Sequence, residues 1–132
     1  VDLTRQNIDL SGVVLQIDDG GNTDRTALLL SNGAPRLFVA SAGATQADIQ
    51  PSGAALTVGV PSTMSGVTAE NDVELYANGV SLGADASASV PVDALTVIRV
   101  GYNAIGIDQL GANIRNVKIF DERLTDAEVA DL

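Results

Sequence analysis

Apolar and polar residues alternate along this chain in short bursts with a period near two, and Gly, Asn, Asp and Pro recur between the bursts. That spacing marks strands joined by tight turns, the sequence pattern of a sandwich or barrel. The candidate strands run Gly12 to Ile17, Thr26 to Ser31, Arg36 to Ala40, Ala55 to Val60, Asp72 to Ala77, Val80 to Leu82, Leu95 to Val100 and Asn113 to Phe120. No long helical period competes with them. Small residues dominate from Ala40 to Pro51 and from Asp85 to Pro91, which read as exposed loops or edge segments.

The clearest local signal is Val73-Glu74-Leu75-Tyr76-Ala77, then Asn78-Gly79, then Val80-Ser81-Leu82. Asn-Gly suits the two positive φ angles of a type I′ turn, so these residues form a hairpin. A two-residue loop sets Ala77 opposite Val80 and Leu75 opposite Leu82, and places Glu74, Tyr76 and Ser81 on the other face. In Asn113 to Phe120, Ile114 is out of phase with Val117 and Ile119, which calls for a bulge between Ile114 and Asn116 or an inward Arg115. Near the end, Thr125 and Glu128 have the spacing of a capping box, and Leu124 can staple to Val129. A short helix after Thr125 would close one end of the sheet.

Length and composition narrow the class. The 132 residues suit one domain spanning residues 1–132, and Val1 in place of Met points to a processed start or a piece of a longer chain. With two Phe, two Tyr and no Trp, the core must be aliphatic. A net charge of −10 repels phosphate backbones and anionic head groups, so neither nucleic acid nor a membrane is an expected partner. Apolar runs such as Leu28-Leu29-Leu30 fall far short of the roughly 20 residues that cross a bilayer as a helix. The absence of Cys and His removes disulfides, the usual zinc ligands and the Ser-His-Asp and Cys-His constellations.

Four phrases then stand in order: Glu74-Leu75-Tyr76-Ala77-Asn78-Gly79, Ile98-Arg99-Val100-Gly101, Leu110-Gly111 to Phe120, and Leu124-Thr125-Asp126-Ala127-Glu128. Together they resemble the laminin-G-like, concanavalin A-like lectin/glucanase superfamily, well over Asp72 to Leu132 and loosely over Val14 to Ala40. The resemblance implies an all-β, two-sheet antiparallel, jelly-roll-like sandwich with a short C-terminal helix. Gly59 to Thr68 departs from the family's usual central strand. The Ala- and Gly-rich style without disulfides looks most like domains of bacteriophage tail fibres, head fibres or capsid decorations.

The candidate sites each have a plain structural alternative. Glu70, Asp72 and Glu74 follow the Glu-x-Asp-x-Glu order of some glucanases of this superfamily, and a strand would align them. Without Trp platforms for a sugar-cleaving cleft, a solvated strand face is preferred and no enzyme is expected. Asp18, Asp19, Asn22 and Asp24 offer the hard oxygens that calcium prefers, as loop edges of laminin-G-like domains do, or else form an ordinary turn. Asp48 or Asp108 would join only if the fold brought them near. Tyr76, Tyr102 and Phe38 are candidates for stacking on a sugar, or for packing, and Asn103 beside Tyr102 sits where such domains carry polar sugar contacts. Arg115, Lys118 and Arg123 form a basic stripe beside Asp121 and Glu122.

The expected role is a non-catalytic recognition or structural module on a phage virion surface, binding host glycans or packing with neighbouring virion or same-chain domains as a homo-oligomer, a trimer if a fibre. The other setting is a carbohydrate-binding or adhesin domain of a secreted bacterial protein, hence extracellular. Beyond calcium, no cofactor is expected.

Overall fold

A computed structural model describes residues 1–6, 10–91 and 95–132. Its strands are β1 (Asp2–Arg5), β2 (Gly12–Asp18), β3 (Arg25–Ser31), β4 (Ala34–Ser41), β5 (Ala44–Ile49), β6 (Pro61–Ala69), β7 (Asp72–Ala77), β8 (Val80–Asp85), β9 (Val97–Val100) and β10 (Ala112–Arg115), followed by helix α1 (Asp126–Ala130). They form two antiparallel five-stranded sheets, ordered β10-β1-β6-β7-β8 and β5-β4-β3-β2-β9. We call these sheets I and II. They stack as a sandwich, with β3 over β6, β4 over β7 and β5 over β8. Among the described residues no helix is long and apolar enough to cross a membrane.

The alternation read from the sequence points one face of each sheet inward. Leu28, Leu30, Leu37 and Val39 from sheet II meet Leu3, Met64, Val73 and Leu75 from sheet I in one aliphatic core. Each fully buried Leu or Met there contributes roughly 1.5–3 kcal/mol. Close layer packing explains Gly66, where a Cβ would stand 3.1 Å from both a Leu28 and a Leu37 methyl.

The hairpin turn forms as expected, with Asn78 and Gly79 at φ 51° and 74° and Ala77 opposite Val80. Beyond it the register differs from expectation. A bulge between Leu75 and Tyr76 sets Leu75 opposite Gly83 instead of Leu82, because Leu75 keeps its place in the core. Helix α1 has its full capping box, and Leu124 and Val129 pack together with Val67 and Tyr76 on the outer face of sheet I.

Three strands escaped the sequence reading. β1 is four residues of mixed polarity, and β5 is an edge strand of small residues with little apolar pattern. β6, the centre of sheet I, lies within the stretch that departs from the family pattern, while the expected strand from Ala55 to Val60 is turn and coil. The last strand ends at Arg115 instead of Phe120. Asn116 takes φ 49°, a left-handed turn at the phase break seen in the sequence.

Candidate functional site

The outer face of sheet II carries a row of side chains across all five strands. Because Leu15, Leu28 and Leu37 face the core, their neighbours face out. Arg99 pairs with Gln16, Gln16 with Ala27, Ala27 with Phe38, and Phe38 with Asp48. Ala27 and Gln16, the middle of the row, are buried at 1% and 0% exposure. Asp18 and Arg25, directly opposite one another on β2 and β3, lie one step along the same face.

These residues interact as one chain. Arg99 Nε donates to Asp18 Oδ2 at 2.8 Å, and Gln16 Nε2 donates to the same oxygen at 2.8 Å. Arg25 Nη1 donates to Asn22 Oδ1 at 2.9 Å. The guanidinium groups of Arg25 and Arg36 stand 4.8 and 5.6 Å from the centre of the Phe38 ring, one of the favourable placements for a cation on an aromatic face. Arg36 grips Asp48 through two hydrogen bonds of 2.6 Å. At the other end Arg99 stands 5.9 Å from the centre of the Tyr102 ring, and Tyr102 is 40% exposed.

The electrostatics are uneven. Asp18 is fully buried, which works against its charge, but donors from Arg99, Gln16 and Gly20 outweigh burial and hold its carboxyl below the usual range. Arg36 and Arg99 are each neutralised by a carboxylate, whereas Arg25 has no ion-pair partner among the described residues. Two buried polar atoms of this face, Gln16 Oε1 and Arg25 Nε, accept or donate no hydrogen bond. The face therefore presents Arg25 without a carboxylate among the described residues, and the Phe38 and Tyr102 rings, a set suited to the C–H surface of a sugar and to a carboxylate.

Tyr102 and Asn103 lie together at the β9 end of this face, but Tyr76 does not join them. Tyr76 is on the other sheet, 2% exposed beneath helix α1, and its hydroxyl donates to Asp126 at 2.9 Å. Burial and the carboxylates of Glu74 and Asp126 push its pKa up, so it stays a neutral donor. Asn103 is buried as the organiser of its loop, accepting from the backbone N–H of Ile105 and Ile107 and donating to Asp108 at 2.8 Å.

The alignment of Glu70 with Glu74 on one strand is corrected by the structure. Ala69 pairs with Asp72, and the two residues between them form the turn, with Asn71 at φ 57°. Glu70 accepts from Val90 N–H at 3.0 Å, while Glu74 lies on β7 and accepts from Ser81. Arg123 leaves the expected basic stripe and pairs with Asp72, Glu74 and Asp126, away from the neighbouring Asp121 and Glu122.

The acidic loop turns its oxygens to protein donors. Besides the bonds of Asp18 and Asn22 described above, Asp19 accepts from Gly21 N–H at 2.9 Å and Asp24 from Ala42 N–H at 2.7 Å. Among the described residues no three acidic side chains converge in a group that could hold a metal ion. A millimolar calcium titration is expected to leave the melting temperature unchanged, since a bound ion would raise it by linkage. A reproducible rise that the D24N variant abolishes would assign the loop to calcium after all.

The sequence reading missed Gln16, Arg25 and Arg99 as members of one site. The signal was present in Gln16-Ile17-Asp18, where two polar residues flank an apolar one in strand phase. What joins them to Arg99 is a pairing between residues 83 positions apart in the chain, which strand alternation alone does not specify.

Comparison with known proteins places the fold. The family model described as the concanavalin A-like lectin/glucanases superfamily matches residues 4–130. No curated protein matches the sequence. Among solved structures, the carbohydrate-binding module CBM40 of an IT-sialidase from Ruminococcus gnavus, bound to alpha2,3 sialyllactose, superposes with a TM-score of 0.74. It is 16% identical, over 98% of this chain and 78% of the other. An S-layer domain-containing protein from Clostridium thermocellum gives a TM-score of 0.48 at 22% identity, over 95% of this chain and 63% of the other.

Proposed function

We propose that this chain, which belongs to the concanavalin A-like lectin/glucanases superfamily, is a non-catalytic glycan-binding module of a secreted or surface-displayed bacterial protein. The observation that carries the reading is the outer face of sheet II. Arg25 is left there without a carboxylate among the described residues, beside the Phe38 ring. A sugar is recognised by such a face: rings cover its apolar C–H surface, amides meet its hydroxyls, and an arginine meets a carboxylate where the sugar is acidic. The similar fold of a module bound to sialyllactose supports an acidic sugar as the first ligand to try. A net charge of −10 does not oppose this locally, because Asp18 and Asp48 are already paired with arginines.

This reading favours the secreted bacterial setting over the virion, since the similar solved module comes from a bacterial sialidase. A phage fibre or decoration would display the same face. A trimer by light scattering would be its mark. Absence of catalysis rests on Glu70 and Glu74, which are held by separate partners and do not sit as a strand-aligned pair.

A glycan array carrying sialylated and neutral oligosaccharides, followed by calorimetry on the best ligand, tests the proposal. The parent protein is expected to bind at least one glycan, and R25A to weaken a sialylated one by about 10-fold or more, the value of a charge-assisted hydrogen bond. No binding anywhere on the array, or full affinity in R25A and Y102A alike, would sink it.

A further inference from the structure

Two Asn-Gly pairs close hairpins in this chain, Asn32-Gly33 between β3 and β4 and Asn78-Gly79 between β7 and β8. Their backbones are almost the same, with φ 50° and 77° in the first pair and 51° and 74° in the second. Asparagine is a chemically labile side chain, and a glycine after it, lacking a Cβ, leaves its own backbone nitrogen open to the asparagine amide. Local sequence and turn geometry therefore do not separate the two pairs. Their surroundings do.

Gly33 is buried, and its N–H donates to the Leu10 carbonyl at 2.7 Å. That nitrogen is engaged, and the Asn32 side-chain oxygen accepts from no group among the described residues. Asn78 is exposed and held differently. Its backbone N–H donates to the Thr63 carbonyl at 2.9 Å, and its Oδ1 accepts from the Thr63 N–H at 2.9 Å, so β6 fixes both its backbone and its side chain. Among the described residues the Gly79 N–H and the Asn78 Nδ2 have no acceptor.

We propose that Asn78 is a deamidation site assembled by the fold, with the Thr63 N–H as its oxyanion donor, and that its isoaspartyl product loosens helix α1. The Gly79 nitrogen gives its proton to water and attacks Asn78 Cγ. Negative charge then gathers on Oδ1, where the Thr63 N–H already points, a donor preset for the tetrahedral intermediate. The Cγ–Nδ2 bond breaks, ammonia leaves with a proton taken from water, and a cyclic succinimide remains. Water opens the ring at the side-chain carbonyl to give aspartate, or at the main-chain carbonyl to give isoaspartate. No oxidation state changes.

The aspartyl product keeps an acceptor for the Thr63 N–H. The isoaspartyl product routes the main chain through the side-chain carbons, lengthening a loop whose two residues set Ala77 opposite Val80. On the helix side there is no room for the change, since even a Cβ on Gly79 would stand 3.0 Å from the Ala130 carbonyl oxygen and 3.1 Å from the Ala130 Cα. Ala130 follows Val129, which holds α1 against Val67 and Tyr76, so displacement of the turn passes to the helix. The hairpin belongs to sheet I and the glycan face to sheet II, and the two readings stand or fall separately.

The test follows the 132-residue chain in mildly alkaline buffer at body temperature, folded or in denaturant, with digestion and mass spectrometry at intervals and synthetic isoaspartyl peptides as standards. In the folded chain, conversion at Asn78 is expected to outrun that at Asn32 by about 10-fold or more, the effect of freeing one hydrogen-bonded nitrogen. In denaturant the two pairs are expected to convert at similar rates. The purified isoaspartyl form is expected to melt about 3–5 °C below the parent, and N78D, which stands for the aspartyl product, to melt with it. Equal rates at the two pairs in the folded chain, or the same preference for Asn78 in denaturant, would show that the fold does not assemble the site. An Asn78 that converts only in denaturant would show that Thr63 protects it. An isoaspartyl form melting with the parent would overturn the link to α1.

Discussion

Asp18→Ala is expected to lower the melting temperature by about 10–15 °C, the shift that a loss of roughly 3 kcal/mol produces in a chain of this size. The carboxylate is fully buried and accepts from Arg99, Gln16 and the Gly20 backbone, so truncation leaves three donors without their acceptor. Such groups cost more unpaired than the intact bonds contribute net. Acid titration isolates the charge. The folded pKa of Asp18 lies below the unfolded value of about 3.9, so its contribution is full above about pH 4 and is lost as pH falls through the folded value. The stability difference between parent and variant should therefore shrink on acidification below pH 4. A variant melting within about 2 °C of the parent would show that Arg99 and Gln16 find equivalent partners, and the face would not depend on its buried carboxylate.

The two sheets were legible where strands alternate strongly or a turn is chemically specified. Asn78-Gly79 announced its hairpin because both residues accept the positive φ that a type I′ turn requires, and Thr125 with Glu128 announced the helix because their side chains cap each other. The register beyond the turn was not legible. Leu75 and Leu82 are equally apolar, and only packing against the opposite sheet selects the bulged pairing. β6 was hidden for a related reason. Of its inward positions only Met64 is large and apolar; Ser62, Gly66 and Thr68 are small or polar, and at Gly66 Leu28 and Leu37 press close from the facing sheet.

The candidate face was half legible. Tyr102 and Asn103 were identified from a loop, although Asn103 serves that loop's backbone while Tyr102 meets solvent. Tyr76 had the phase of an outward residue and does point outward from sheet I, but helix α1 covers it. Alternation assigns a face; it does not say what lies on top of that face. Likewise Asp18, Asn22 and Asp24 had the composition of a cation loop, and backbone and side-chain donors within reach take up their oxygens.

Gly12→Ala carries the second large effect, because it joins the stability of β2 to the position of Tyr102. Gly12 has φ 150°, which side chains rarely adopt, and a Cβ there would stand 2.9 Å from the Asp108 carbonyl oxygen and 3.0 Å from that of Gln109. Both obstacles are backbone. They belong to the loop that Asn103 braces, which is tied to β2 by Gly101 N–H on the Val14 carbonyl and Val13 N–H on the Asp108 carbonyl. Either β2 or that loop must shift, so strain and overpacking together should cost about 2–4 kcal/mol. The melting temperature is expected to fall by roughly 10 °C. If the loop is what moves, Tyr102 leaves its place beside Arg99 and the residual folded protein binds glycan more weakly, an outcome a purely local strain would not produce. Unchanged melting would mean that the loop from Gly101 to Gln109 does not rest on Gly12, and Tyr102 would lose its fixed place on the face.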